Sequence, residues 1–304
     1  MKEPVKNIAA SIMARLRSQT EISERPFAEV LQYYAMERFL YRLSKTRYAD
    51  KFILKGGLLF YVWNLPMRRP TRDIDFRGYV SNSRTTLLKI INVVIAESVP
   101  EDGIVFDPQS VSVEETQIDA DYQGIRVKLT ALLERSRIPV QIDIGFSDEL
   151  ASGAEAIEYP SLLPDLKTVR MKAYPKETMI AEKFHAMVRH GELNSRMKDY
   201  YDLWLMLETF EFDGRSLQAA IEVTFRKRDT EIPGEQPQAL SNEYARAGQI
   251  RWVNFLDKMD LQNDYVTDFS NIIESIWDFL KTPLQTSINK TKSNMKWTPG
   301  KGWK

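Results

Sequence analysis

The chain has 304 residues, of which 43% are apolar and 28% are charged, enough to bury one large core or two smaller ones. Its 42 basic and 42 acidic side chains cancel, so the composition does not indicate a globally basic nucleic-acid binder, although it allows a local basic patch. The absence of cysteine excludes disulfides, zinc–thiolate sites and cysteine nucleophiles.

The sequence shows no targeting or membrane-spanning segment. Residues 1–20 mix charged with apolar residues and lack the continuous apolar core of a secretory signal. No apolar run approaches the length needed to cross a bilayer. We therefore expect a soluble, cytoplasmic protein without a membrane partner.

The predicted elements change in type along the chain. Apolar residues recur at helical spacing within residues 4–48, and residues 58–62 and 87–96 predict two further helices. Residues 52–54 form a short apolar run, and polar and apolar residues alternate at residues 73–76, as in a half-buried strand. Strands are predicted at residues 52–54, 73–76, 111–113, 125–133 and 140–146. The charged connection at residues 134–139 is suited to a hairpin between the last two strands.

The remainder of the chain is predominantly helical in pattern. Helices are predicted at residues 177–189, 197–209, 217–226 and 269–280. Residues 286–304 contain five lysines, two tryptophans and no acid, which predicts an extended tail. Such a tail suits RNA contact, and a disordered end is the alternative interpretation. The expected fold class is α+β, with a small mixed sheet between N-terminal helices and a C-terminal helical domain.

Three aspartates form the candidate metal site. Asp73 and Asp75 are two apart on a predicted strand and project to the same side, while Ile74 lies between them and faces the core. Neighbouring carboxylates repel one another unless a cation lies between them, and Mg²⁺ prefers oxygen ligands that it shares with phosphates. Asp143, on a later apolar strand, would complete a site for phosphoryl transfer. The alternative is that these acids are solvated residues of edge strands.

The segment before these acids offers groups that suit an anion. Gly56 and Gly57 stand between a strand and a short helix, where the backbone can approach a phosphate closely. Arg68, Arg69 and Arg72 follow and could hold a triphosphate or an RNA backbone. A tight turn and solvent-facing arginines are the alternatives.

These residues resemble the first motif of the AbiEii/AbiGii toxin family. FILKGG at residues 52–57 precedes DIDF at residues 73–76, and Arg69 and Thr71 match the arginine and the hydroxyl residue that the family places before its acids. Leu58 departs from the pattern, because many relatives carry a small hydroxyl residue there. The departure leaves the acids of the motif untouched.

Later segments are similar to the remaining motifs of the same family. VQIDIGF at residues 140–146 is similar to the strand that bears the third acid. YPKE and AEKF, at residues 174–177 and 181–184, resemble the third motif, and RMKDYYDL at residues 196–203 resembles the fourth. The order and the spacing agree over residues 50–205.

The resemblance implies a fold and a domain organisation. It implies a polymerase-beta-like nucleotidyltransferase core followed by a helical domain. The expected parts are an N-terminal helical segment, the nucleotidyltransferase core, a helical C-terminal domain and a basic tail, at residues 1–50, 51–165, 166–285 and 286–304. Family members are toxins of bacterial toxin–antitoxin and phage-defence systems, and some transfer nucleotides from an NTP to the acceptor end of tRNA. The implied partners are an NTP, RNA (expected to be the 3′ end of tRNA) and a cognate antitoxin.

The resemblance also assigns roles to residues. Asp73, Asp75 and Asp143 would bind Mg²⁺ or Mn²⁺, and the implied catalytic set adds Lys183 and Asp199. The implied nucleotide-binding set is Lys55, Gly56, Gly57, Arg69, Thr71, Lys183 and Asp202. Read from spacing alone, Asp199 and Asp202 share a helix face and could orient Lys183 or Arg196, or could form ordinary surface pairs with Arg196 and Lys198.

Two other functions stay open at this point. The same core could attach a nucleotide to a protein target, or the chain could be a non-catalytic sensor that has kept an NTP pocket.

Overall fold

The computed structural model describes residues 7–65, 69–119, 122–146, 153–261 and 267–304. The chain divides into two compact units. Unit 1 comprises Met1–Asp148 and Glu155–Ala173, and unit 2 comprises Glu149–Ala154 and Tyr174–Lys304. Within the described residues, no helix is both long enough and apolar enough to cross a bilayer.

Unit 1 combines helices with one mixed sheet. Its helices are α1 (Ile8–Ser23), α2 (Phe27–Lys45), α3 (Leu59–Val62) and α4 (Arg84–Ile95). Its strands are β1 (Phe52–Lys55), β2 (Asp73–Gly78), β3 (Val105–Asp119), β4 (Tyr122–Leu133), β5 (Ser136–Gly145), β6 (Glu155–Tyr159) and β7 (Val169–Ala173). The described strands lie in the order β3-β4-β5-β2-β1-β7-β6. β2 pairs with β5 and β1 with β7 in parallel, and the other pairs are antiparallel. The expected mixed sheet is confirmed.

A side-chain cap and a buried ion pair stabilise the two N-terminal helices. The side chain of Asn7 accepts a hydrogen bond from the backbone N–H of Ala10 and caps α1. α2 is buried on nearly every side, and its Arg42 donates to both carboxylate oxygens of Asp102, at 2.6 and 3.1 Å. Asp102 is itself fully buried, so this paired charge ties α2 to the turn that precedes β3.

Unit 2 is mainly helical. Its helices are α5 (Lys176–His190), α6 (Met197–Thr209), α7 (Gly214–Lys227), α8 (Asn242–Lys258) and α9 (Phe269–Ile288). The predictions at α5, α6 and α7 are confirmed, and α9 continues beyond its predicted end, through Pro283. α8 was not predicted from the pattern. Three short strands form a second sheet in the order β10-β9-β8: β8 (Phe212–Asp213), β9 (Lys296–Thr298) and β10 (Gly302–Trp303).

The expected extended tail is wrong, because the last residues fold onto α9. Trp297 is buried and donates its indole N–H to the carbonyl of Leu207 at 2.8 Å. Trp303 donates to the carbonyl of Phe279 at 2.8 Å, and its ring stacks on the Phe279 ring at 5.6 Å. Burial of Trp297 and partial burial of Trp303, each with its indole N–H satisfied, offset the cost of ordering a polar segment.

Candidate active site

The predicted aspartates meet on one face of the sheet of unit 1. One carboxylate oxygen from each of Asp73, Asp75 and Asp143 lies within 4.8 Å of the others. β2 stands at the centre of the described strand order, so the edge-strand explanation for the Asp-Ile-Asp triplet is wrong. The register places Asp75 directly opposite Asp143 on the parallel neighbour β5. Asp143 is 7% exposed, which also argues against a merely solvated acid.

Strand alternation explains why the acids gather without entering the core. Ile74 and Phe76 are buried on one side of β2, and Asp73 and Asp75 lie on the other side with intermediate exposure. Cross-strand neighbours share a face, so Asp75 belongs to a polar row that runs across the sheet. The row follows the register through Lys55, Asp75, Asp143, Arg126 and Glu114.

Arg126 holds the third aspartate in place. Its Nε and Nη2 donate to the two oxygens of Asp143, each at 2.8 Å, and Gln141 donates to one of those oxygens at 3.2 Å. The hydrogen bond to Asp143 raises the pKa of Arg126, and the charge of nearby Asp73 adds to the effect. Such a bidentate ion pair fixes the plane of the carboxylate. Arg126 was not among the predicted site residues.

The glycine turn lies against the acids. Gly56 begins the 3₁₀ turn Gly56–Leu58 after β1 and has a φ of +71°, which favours glycine. A Cβ at this position would collide with the carboxylate of Asp75. A Cβ at Gly57 would lie 2.7 Å from the hydroxyl of Thr71. Both glycines are therefore needed for the backbone to pass this close to the site.

The loop before β2 approaches the same turn. Thr71 is buried, and its hydroxyl donates to Asp73 Oδ1 at 3.3 Å while its backbone N–H donates to the Tyr33 hydroxyl at 2.9 Å. A guanidinium nitrogen of Arg69 would lie 3.4 Å from a Cβ built on Gly57. The structure thus gathers Arg69, Thr71 and the glycines beside Asp73. Arg68 lies outside the described residues.

A second cluster of predicted site residues lies within unit 2. Lys183 of α5 donates to Asp199 and to Asp202 of α6, each at 2.7 Å, and Arg196 Nε donates to the other oxygen of Asp199 at 2.7 Å. Both aspartates are almost fully buried. Burial by itself would raise the pKa of Asp199, but Lys183 and Arg196 outweigh burial and lower that pKa to about 2. Asp202 is 1% exposed and accepts from Lys183, so it is not an ordinary surface residue.

The comparisons with known proteins give one family match and two similar solved structures. A family model described as "Nucleotidyl transferase AbiEii toxin, Type IV TA system" matches residues 38–280. A crystal structure of JHP933 from Helicobacter pylori is 14% identical with a TM-score of 0.49, covering 86% of this chain and 94% of that one. Another H. pylori structure, described as a nucleotidyltransferase, is 13% identical with a TM-score of 0.49, covering 87% and 98%. No protein with curated function matches.

Proposed function

The chain belongs to the AbiEii family of nucleotidyl transferase toxins, of type IV toxin–antitoxin systems, and from that premise we propose that it transfers a nucleotide from an NTP to RNA. The observation that carries the proposal is the convergence of three carboxylates within 4.8 Å on one face of the sheet. We propose the 3′ end of tRNA as the acceptor, and this choice of acceptor rests on the family resemblance alone.

The three acids fit a divalent cation. They offer only carboxylate oxygens, which are the ligands that Mg²⁺ and Mn²⁺ prefer. Three acids this close repel one another, and a cation between them would remove that repulsion. Asp73, Asp75 and Asp143 would hold Mg²⁺ or Mn²⁺, which when bound neutralises developing charge on the phosphates.

The reaction that we propose is an in-line displacement at the α-phosphorus. The acceptor hydroxyl oxygen forms a bond to that phosphorus, the bond to the bridging β-phosphate oxygen breaks, and pyrophosphate leaves. The hydroxyl proton passes to Asp143. Each carboxylate oxygen has two lone-pair directions. Arg126 and Gln141 both donate to Oδ2 of Asp143, whereas Oδ1 accepts only from Arg126 among the described residues and keeps acceptor capacity for the proton. Arg126 thereby acts on the reaction through Asp143, as a positioning residue.

The phosphates of the NTP would bind beside the acids. We assign Gly56 and Gly57 to close backbone approach, Lys55 and Arg69 to charge neutralisation, and Thr71 to orienting Asp73. The proposed phosphate contact of Lys183 rests on the resemblance alone. Its ammonium carries three N–H donors and gives two of them to Asp199 and Asp202, so these acids orient Lys183 rather than meet the nucleotide themselves.

Transfer of label from each NTP to total cellular RNA tests the proposal directly. The wild-type protein with Mg²⁺ should label RNA from at least one NTP, a chelator should abolish labelling, and Asp73→Ala should lower the rate by at least about 100-fold. Asp50→Ala is the matched control, because Asp50 is an exposed aspartate of the same unit that pairs with Lys172 at 3.0 Å. Undiminished labelling by Asp73→Ala would remove these acids from the mechanism.

The pattern of labelling separates the alternatives. Label that resists RNase and migrates with protein would favour a protein target. Tight Mg-NTP binding without transfer to any acceptor would favour a non-catalytic sensor.

The toxin role has its own test in cells. Expression of the wild-type chain should slow bacterial growth, and Asp73→Ala at equal protein level should not. A neighbouring gene's product should relieve the effect of the wild type. Harmless wild-type expression at a confirmed protein level would refute toxicity and leave the enzymatic proposal standing.

A further inference from the structure

The last residues of unit 2 concentrate positive charge on a folded element. Residues 279–304 contain six lysines and no acid, so the other residues hold 36 basic side chains (42 less 6) against 42 acidic ones. Five of the six lysines, Lys290, Lys292, Lys296, Lys301 and Lys304, are exposed. The charge neutrality of the whole chain therefore hides a local basic surface.

The strand pair β9–β10 fixes where three of these lysines lie. Lys296 and Lys304 exchange backbone hydrogen bonds of 2.7 and 3.0 Å, so they are directly opposite one another and share a face. Trp297 and Trp303, one position along, face α9 instead. Lys301 ends the connecting turn, where its N–H donates to the carbonyl of Thr298 at 3.0 Å. Lys296 and Lys304, which share a face of the strand pair, are together with Lys301 of the adjoining turn called the lysine face.

The lysine face has little compensating charge. No carboxylate among the described residues forms an ion pair with any of its three lysines. The nearest acid in register is Asp213 of β8, opposite Lys296, and its carboxylate accepts from the backbone N–H and the hydroxyl of Ser216 as the cap of α7. The Ser216 hydrogen bonds and, to a smaller extent, the charge of Lys296 lower the pKa of Asp213, so this one acid compensates part of the charge of three lysines. Like charges directly opposite in a sheet are unfavourable, and a polyanion would remove that repulsion.

We propose that the lysine face binds the phosphate backbone of the RNA acceptor, an inference that rests on the proposed transfer to RNA. Binding here is electrostatic rather than by base stacking, since the folding of unit 2 already uses both tryptophans. Trp297 is buried, and the Trp303 ring stacks on Phe279. The lysine face should thus bind RNA without regard to base sequence.

A charge-neutralising variant tests the inference. Combined Lys296→Gln, Lys301→Gln and Lys304→Gln should weaken binding of unfractionated tRNA by about 10- to 100-fold near 0.1 M salt, and should lower the slope of log affinity against log salt by about 2. The wild type should bind oligo(U) and oligo(A) of equal length with similar affinity. Because these lysines are exposed, the variant should keep its circular dichroism spectrum and melting temperature.

The control removes the same charge elsewhere in unit 2. Combined Arg246→Gln, Lys258→Gln and Lys281→Gln should leave RNA affinity within about twofold of the wild type. Equal losses in the two triple variants would overturn the proposal, because net charge alone would then explain binding. Unchanged affinity of the lysine-face variant would also overturn it, as would selective loss of binding to phosphatidylserine vesicles with RNA binding intact.

Labelling assays separate this inference from the proposed function. RNA labelling by wild type together with wild-type RNA affinity in the lysine-face variant would overturn the inference alone. Loss of RNA affinity in that variant, with no labelling of any RNA by the wild type, would overturn the proposed function and support the lysine face as an RNA-binding surface.

Discussion

Replacement of Lys183 by methionine tests whether the buried cluster of unit 2 is held together by charge. Methionine keeps most of the volume of the lysine stem and removes the ammonium that Asp199 and Asp202 share at 2.7 Å. Arg196 stays bonded to the other oxygen of Asp199. We therefore expect the unfolding free energy of Lys183→Met to fall, because two buried carboxylates lose a shared cation.

The lowered pKa of Asp199 sets the size of the effect. A change from 3.8 in the unfolded chain to about 2 in the fold corresponds to about 2 kcal/mol of stability at neutral pH. The loss in Lys183→Met should be about 2 to 4 kcal/mol, since removal of one partner from a buried pair also leaves a desolvated charge. A lowered pKa contributes stability that is present above about pH 4 and is lost as pH falls toward 2. The difference between variant and wild type should shrink over that interval.

Urea unfolding followed by circular dichroism at pH 7, 5, 4 and 3 measures both expectations. Lys198→Met is the matched control, because Lys198 is an exposed lysine on the same helix as the two acids. The control should stay within about 0.5 kcal/mol of the wild type. A loss below about 1 kcal/mol for Lys183→Met, or a loss that does not depend on pH, would refute the argument.

Three further substitutions test the remaining parts of the structure. Gly56→Ala places a Cβ against Asp75 at a φ of +71° and should lower the unfolding free energy by about 1 to 2 kcal/mol from the backbone alone. The variant should also lose nucleotide transfer, and wild-type stability and activity would contradict this prediction. Arg126→Met should lower the melting temperature of chelator-treated protein, because Asp143 loses its guanidinium partner. Mn²⁺ should then raise the melting temperature of the variant more than that of the wild type, since the cation replaces the lost positive charge. Equal metal-induced shifts in calorimetry would contradict the role of Arg126 as the partner of Asp143. Trp297→Ala should destabilise unit 2 by about 3 to 5 kcal/mol, and an unchanged melting temperature would show that the C-terminal strands do not need this ring.

The convergence of the three aspartates was predictable from the sequence, because strand alternation determines which face of a strand each side chain lies on. The Asp73-Ile74-Asp75 pattern identified the strand and its two faces, and the apolar run around Asp143 identified its neighbour. The predicted hairpin at residues 134–139 could also have identified Arg126 as the neighbour of Asp143. Pairing outward from its turn, between Leu133 and Ser136, places Arg126 opposite Asp143.

At the C-terminus the lysine-rich composition wrongly predicted an extended tail, whereas a short turn motif predicts the observed hairpin. The acid-free, lysine-rich segment resembles a solvated tail, but Thr298-Pro299-Gly300-Lys301 has the residue order of a type II turn. Gly300 has the positive φ, +67°, that this turn requires at its third position. Proline and glycine there predict a hairpin, and the flanking tryptophans supply its buried side.

Pattern alone could not predict the environment of Asp199 and Asp202. Their spacing shows that they share a helix face, but it does not show what covers that face. Packing of α5 against α6 brings Lys183 to both acids and converts a surface pair into a buried cluster. α8 went unpredicted although Tyr244, Gly248, Trp252 and Leu256 recur every four residues and are buried.

The central position of β2 has a consequence for genetics. Because Asp73 and Asp75 alternate with Ile74 and Phe76, a selection for survivors of expression, under the proposed toxicity, should return two classes of change at these four positions of the strand. Survivors altered at the acids should accumulate full-length soluble protein, whereas survivors altered at the intervening apolar positions should lose the protein to aggregation or proteolysis. Immunoblotting of soluble fractions would sort the classes residue by residue, in alternation from Asp73 to Phe76.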